Sequence, residues 1–196
     1  NNFIPTEHPE DLLEPYNWRK QSTVFVCSMS DLFNEKISFN FTDKVFNVIK
    51  DTPQHTYQIL TKRAKRMAEY FESRVIPPNA WIGVTVENRN AIERIDSIRH
   101  LDAKVKFLSC EPLLEDLGEL ELDGINWIIV GGESGVSARP MNEKWVVNIM
   151  NQAHQLNIPF FFKQWGTWGC DGIKRNKRKN GKLINGKIVQ EFPIVY

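Results

Sequence analysis

Residues 125–131 read INWIIVG, and 132–140 continue GESGVSARP: a run of apolar and β-branched residues that stops abruptly at glycine, glutamate and serine. A short, nearly continuous apolar run of this kind is how a strand buried on both faces of a parallel sheet reads. It is one of six. TVFVCS (23–28), HTYQILT (55–61), AWIGVTV (80–86), KVKFLSC (104–110) and PFFFKQW (159–165) share its length and its β-branched or aromatic content. Successive runs begin roughly 20–35 residues apart, the repeat that βα units of a parallel sheet require.

Helical patterns lie between them. Thr42 can cap a segment carrying Val45, Phe46 and Ile49, and 63–71 follows with Met67, Ala68 and Phe71 on one side. Asn88 can cap a third segment with Ile92, Ile95, Ile98 and Leu101, and Asn142 a fourth with Trp145, Val146, Ile149, Met150 and Ala153. The link 113–124 is irregular. No Gly-x-Gly-x-x-Gly follows the first strand, which weakens a dinucleotide-binding fold. The expected class is therefore α/β, a TIM-barrel-like, partial or open barrel of about six βα units over residues 1–167. Residues 168–196 form a basic loop and a C-terminal hairpin turning at Asn185-Gly186 and packed on the same domain.

Composition narrows the function. The 196 residues carry a net charge of +1, so nucleic acid is not bound by bulk charge, although a local basic patch is not excluded. No apolar stretch reaches membrane-spanning length and no signal-peptide pattern opens the chain, so a cytoplasmic protein is expected. The first residue is Asn rather than Met, which points to residues upstream of it. Cys27, Cys110 and Cys170 are odd in number and widely spaced, giving neither a disulfide framework nor a zinc ribbon. They read as reduced thiols, and Cys110 as a small buried residue. The stretch Lys174–Lys182, KRNKRKNGK, is either a solvated basic loop or an arm that contacts phosphates.

In a (βα) barrel the chemistry collects where strands end. Those positions hold Ser28, Ser30 and Asp31; Lys62 and Arg63; Glu87; Ser109 and Glu111; Gly131, Gly132 and Glu133, with Arg139 beyond; and Lys163 and Gln164. Glu87, Glu111 and Glu133 are expected to face Lys62, Arg63, Arg139 and Lys163 around one cavity. Asp31, Glu111 and Glu133 are the candidates for proton transfer, with an N-cap or turn role the alternative for Asp31. Lys62, Arg63, Arg139, Lys163 and Gln164 are candidates for holding an anionic substrate. His55, His100 and His154 fall at strand starts or helix ends, away from that rim. Glu133 is not in a phosphate loop, whose glycine spacing and Lys-Ser are missing; a structural turn remains open.

The ordered set FVCSMSDLF, QHTYQILTKR, WIGVTVEN, FLSCEPLL, WIIVGGESG with ARPM, and PFFFKQWG resembles the phage-associated three-Cys-motif proteins, a family of unknown function found in phages and bacteria. The resemblance covers nearly the whole chain. It implies a radical-SAM-like barrel in which three clustered cysteines hold an iron–sulfur cluster that binds S-adenosylmethionine. This chain has no such cysteine cluster, so the ligands are expected upstream of Asn1 and no metal ligand is expected within it. On that reading Ser28, Ser30, Ser109, Gly131, Gly132 and Glu87 are the cofactor-binding candidates, and Gly131-Gly132-Glu133 is similar to the Gly-Gly-Glu that holds the cofactor's amine. The implied reaction is iron–sulfur-dependent chemistry on an unknown substrate, with nucleic acid or a nucleotide a candidate. The alternative is a cluster-free barrel that binds nucleic acid through Lys174–Lys182, or a protein partner. A hydrolase has no visible nucleophile–base pair.

Overall fold

The computed structural model describes residues 4–194. Six parallel strands, β1 (Thr23–Val26), β2 (Thr56–Thr61), β3 (Ala80–Thr85), β4 (Val105–Cys110), β5 (Trp127–Gly131) and β6 (Phe160–Gln164), lie side by side in chain order. The sheet curls into a half-barrel. Helices α1 (Phe39–Asp51), α2 (Ala64–Phe71), α3 (Arg94–Arg99) and α4 (Glu143–Gln155) alternate with the strands. A short helix α5 (Lys177–Asn180) and the two-stranded hairpin of β7 (Leu183–Ile184) and β8 (Lys187–Ile188) complete the chain. Among the described residues no helix is long and apolar enough to cross a membrane.

Strand periodicity sends alternate side chains to opposite faces. Ile59, Ile82, Leu108 and Val130 join Met67, Ile95, Ile98, Val146 and Ile149 of the helices in one core. The opposite, concave face carries an aromatic group in which Trp127 touches Trp81, Phe107, Phe161 and Phe192. The reading of all six strands as buried on both faces holds for the middle of the sheet only. In β1 and β2 burial alternates, and Phe25 is 45% exposed. These two strands lie at the open end of the half-barrel, where the concave side is only partly covered.

Local signals place most helix starts. Asn142 caps α4 by accepting from Lys144 N at 2.9 Å. Asn88 caps a single 3-10 turn, Arg89–Ala91, and α3 begins three residues later. The cap of α1 is Ser38, which accepts from Phe41 N at 3.1 Å, rather than Thr42. Thr42 is buried in the first turn and returns its hydroxyl to the Ser38 carbonyl at 3.2 Å, so the helix starts one turn earlier than its apolar face suggests. Segment 113–124 holds no helix or strand. The hairpin turns at Asn185 and Gly186 with φ of 48° and 75°, the paired positive angles that a two-residue turn demands.

The C-terminal segment is part of the sheet's architecture. Phe162 N donates to Val189 O at 2.8 Å and Glu191 N to Phe160 O at 3.0 Å, covering the outer edge of β6. Indole N–H groups bolt it down, from Trp127 to Glu191 O and from Trp165 to Leu183 O, each at 2.9 Å. Where β5 ends, its register against β6 shifts between Val130 and Gly131. Gly132 then passes so close to the Trp165 carbonyl that a β-carbon would overlap it, and Gly166, at φ +82°, meets the Glu133 carbonyl in the same way. Two backbones touch here because both residues lack a side chain. Gly132→Ala is expected to destabilise the fold by about 2–3 kcal/mol or more, since the obstacle is backbone. Urea unfolding of the variant against the parent measures it; an unchanged midpoint would contradict the packing described.

Candidate ligand-binding rim

Every strand end opens at one rim, but its carboxylates are stitched to their neighbours rather than aimed into a common cavity. Asp31, in the loop after β1, accepts from Thr61 Oγ1 at 2.7 Å, Phe33 N at 2.9 Å, Lys62 N at 3.2 Å and Arg63 Nη1 at 2.8 Å. Four donors use up its lone pairs, so it ties the β1 loop to the end of β2. Glu87, after β3, takes Lys62 Nζ at 2.5 Å and Arg94 Nη1 at 2.8 Å. Burial pushes its carboxyl up, but the Lys62 hydrogen bond and the charges of Lys62 and Arg94 outweigh this and leave it below the ordinary value.

Glu111, after β4, reaches across to β6, accepting from Lys163 Nζ at 3.0 Å and Gln164 Nε2 at 2.8 Å. Its side chain folds over Gly131, where a β-carbon would stand 3.0 Å from Oε1. Glu133 is held by Arg139 alone among the described residues, through Nε at 2.9 Å, Nη2 at 2.8 Å and the backbone N–H at 2.8 Å. The Arg139 side chain and then its backbone N–H hold the Glu133 carboxyl at about 2.

An open depression of about 370 Å³ brings together Glu111, Gly132, Glu133, Lys163, Gln164 and Lys177. Lys62 and Arg63 line a separate one. Ser28 and Ser30 are exposed in the turn after β1, Ser109 and Gly131 are buried, and Asp31 and Glu87 line neither depression. Arg94, which closes the Glu87 pair, was not marked by its position in the sequence because it reaches the rim from a helix.

The basic stretch is built, not loose. Asn180 donates to the Gly166 and Thr167 carbonyls at 3.0 and 2.9 Å, and Arg175 N donates to Thr167 O at 2.9 Å. Asp171 takes Arg175 at 2.6 and 2.9 Å; that pair and the Ile173 N–H hold its carboxyl at about 2. Lys174 is spent on the Val136 carbonyl at 2.7 Å. The side chains of Lys177, Arg178 and Lys179 make no hydrogen bond or ion pair among the described residues. Nothing in the sequence marks Asn180 as the anchor.

The cysteines do not converge. Cys27 follows β1, Cys110 is fully buried in β4 with burial pushing its thiol up to about 12, and Cys170 is exposed in the tail. Among the described residues no three His, Cys, Asp or Glu side chains stand close enough to hold a metal ion. These residues therefore do not fit an iron–sulfur cluster. The carboxylate of Glu133 is already engaged by three donors of Arg139.

A family model described as a protein of unknown function, DUF5131, matches residues 3–193, and the chain belongs to that family. No curated protein and no solved structure matches it.

The Glu133–Arg139 pair has a pH signature. A carboxyl held below its ordinary value contributes stability above that value, 4.5, and loses it as the pH falls toward 2. The Glu133 carboxyl resonance in ¹³C NMR is expected to titrate near pH 2, with the Arg139 amide moving in step. A midpoint near 4.5 would mean that the pair is not formed.

Proposed function

We propose that this member of the family binds nucleic acid across the C-terminal rim of its half-barrel, with the α5 turn meeting the phosphates. One observation carries the reading: Lys177, Arg178 and Lys179 stand without side-chain partners among the described residues, on a turn that Asn180 pins to the barrel. Asn180 fixes the backbone of the turn, so the three cations are gathered at one place on the rim although their side chains stay free. Lys177 also lines the rim depression, where Lys163 is already paired with Glu111, so the turn sets its unpaired cations at the edge of a depression of mixed charge. With a net charge of +1, attraction to a polyanion must come from local patches such as this one.

Cation–phosphate pairing releases counterions, so affinity for a labelled oligonucleotide is expected to fall steeply with salt. Replacing Lys177, Arg178 and Lys179 by Ala is expected to weaken binding about tenfold or more at low salt. The same change should flatten the salt slope by about 0.7–0.9 for each phosphate no longer neutralised. Fluorescence anisotropy measures both. Equal affinity and slope in parent and triple variant would overturn the reading.

A second reading, radical S-adenosylmethionine chemistry, is supported by the open parallel half-barrel and by the resemblance of its strand-end motifs. Its cluster ligands would lie outside the described residues, and no step is assigned to the rim side chains. Protein bearing its natural N-terminal sequence, purified anaerobically, would then contain iron and sulfide and absorb as an iron–sulfur protein. Active protein free of both would overturn it.

A further inference from the structure

The opposite side of the rim holds a second cationic depression, of about 320 Å³, where β2 passes into α2. Five cationic side chains line it, Lys62, Arg63, Lys65, Arg66 and Arg94, against the carboxylates of Glu35 and Glu93. Not all five are available. Asp31 locks Arg63 Nη1, and Glu87 takes both Lys62 and Arg94, all through carboxylates that are largely buried. Lys65 meets Glu93 only at 3.5 Å, with both side chains more than half exposed, so that pair is loose and screened.

Arg66 is different. No carboxylate among the described residues stands at ion-pair distance from it, although Glu35 is near enough to feel its charge; its Nη2 donates to Ile37 O at 2.9 Å and its guanidinium lies 4.3 Å from the Phe39 ring centroid. Its Nε is buried without a hydrogen-bond partner. A buried donor left unmade is costly, and a positive one more so. Beside it, α2 begins without a side-chain cap. Ala64, Lys65 and Arg66 are its first residues, whose N–H groups have no intrahelical acceptor and carry the positive end of the helix dipole.

One anion is already present. Both carboxylate oxygens of Glu35 accept from Arg63 Nε, at 3.1 and 3.0 Å, yet that side chain is 69% exposed, and Arg66 attracts it by charge without a hydrogen bond. Moving it into water costs little. We propose that this depression is a phosphate subsite, and that Glu35 stands in the anion's place in the free protein. Displacing Glu35 frees Arg63 Nε to act together with Arg66, Lys65 and the first turn of α2. For a nucleic acid strand, which is where this inference rests on the reading above, the subsite lies four strand spacings from β6, about 19 Å along the sheet. The two cationic flanks would then bracket the barrel mouth.

Isothermal titration of the whole chain with inorganic phosphate tests the site itself. Glu35→Ala is expected to tighten phosphate binding about five- to tenfold, and Arg66→Gln, which keeps much of the packing on Phe39, to weaken it about tenfold; melting curves check that both variants fold. No phosphate binding in Glu35→Ala, or an affinity equal to the parent's, overturns the proposal. Anisotropy with the oligonucleotide then separates the sources of the phosphate. A salt slope reduced by about one in Arg66→Gln assigns the subsite to a nucleic acid strand. A slope unchanged there, with free phosphate still sensitive to Arg66, assigns it to a small phosphorylated ligand. If oligonucleotides bind through Lys177–Lys179 while phosphate fails in both parent and Glu35→Ala, the subsite is wrong and the nucleic-acid reading stands. If phosphate binds as expected and oligonucleotides do not, the reverse holds.

Discussion

A parallel strand can follow its neighbour only after the chain has crossed back to the same starting end. Six such strands put all their carboxyl ends, and the loops that follow them, at one rim. The rim is thus a product of topology before it is a product of chemistry. Polar residues gather there because the apolar runs stop there, and the loops must find partners for them. Asp31 ties the β1 loop to β2, Glu87 ties β3 to β2 and α3, and Glu111 ties β4 to β6. Each stitch consumes charge. What remains unspent among these groups is cationic, Arg66 at one side of the mouth and Lys177–Lys179 at the other.

The half-barrel treats its two edges differently. At β6 the chain's own tail supplies an antiparallel partner, held by two indole N–H groups, and the edge is covered. At β1 only four residues pair with β2, and Phe25 stands nearly half exposed on the concave side. A very short edge strand limits pairing with other chains. The covered edge also fixes the basic turn, because the residues that connect β6 to its covering segment are the ones that form α5. Closing the sheet edge and presenting the cations are one act of folding.

The strands and the half-barrel were legible because their signal is continuous: runs such as WIIVG and PFFFK keep one character over a whole element. The start of α1 was not, since Ser38 and Thr42 are both competent caps and only the returning backbone decides between them. The uncovered faces of β1 and β2 were illegible for a related reason. Val24, Phe25 and Val26 are equally apolar, yet Val24 and Val26 pack on the core while Phe25 stands on the open side. The rim residues were found as a set, but their pairing was not. Lys62 sits beside Arg63 in sequence, yet one turns to Glu87 and the other to Asp31 and Glu35. Asn180 reads as one more polar loop residue until the two carbonyls it holds are seen.

The Gly-Gly-Glu stretch at 131–133 shows how a suggestive motif can be explained by packing. Gly131 lies under the Glu111 side chain, Gly132 lets the Trp165 carbonyl approach, and Glu133 is closed on Arg139 within its own loop. None of the three needs a cofactor to account for it. The opposite holds for Arg66, which no strand end or glycine motif announces. Its guanidinium keeps an unmade hydrogen bond beside an uncapped helix, with a displaceable carboxylate on the neighbouring arginine. A satisfied group needs no ligand to explain its position. Arg66 is held by the Ile37 carbonyl and the Phe39 ring, yet its charge meets no carboxylate at ion-pair distance, and on this rim the unmet demand is for negative charge.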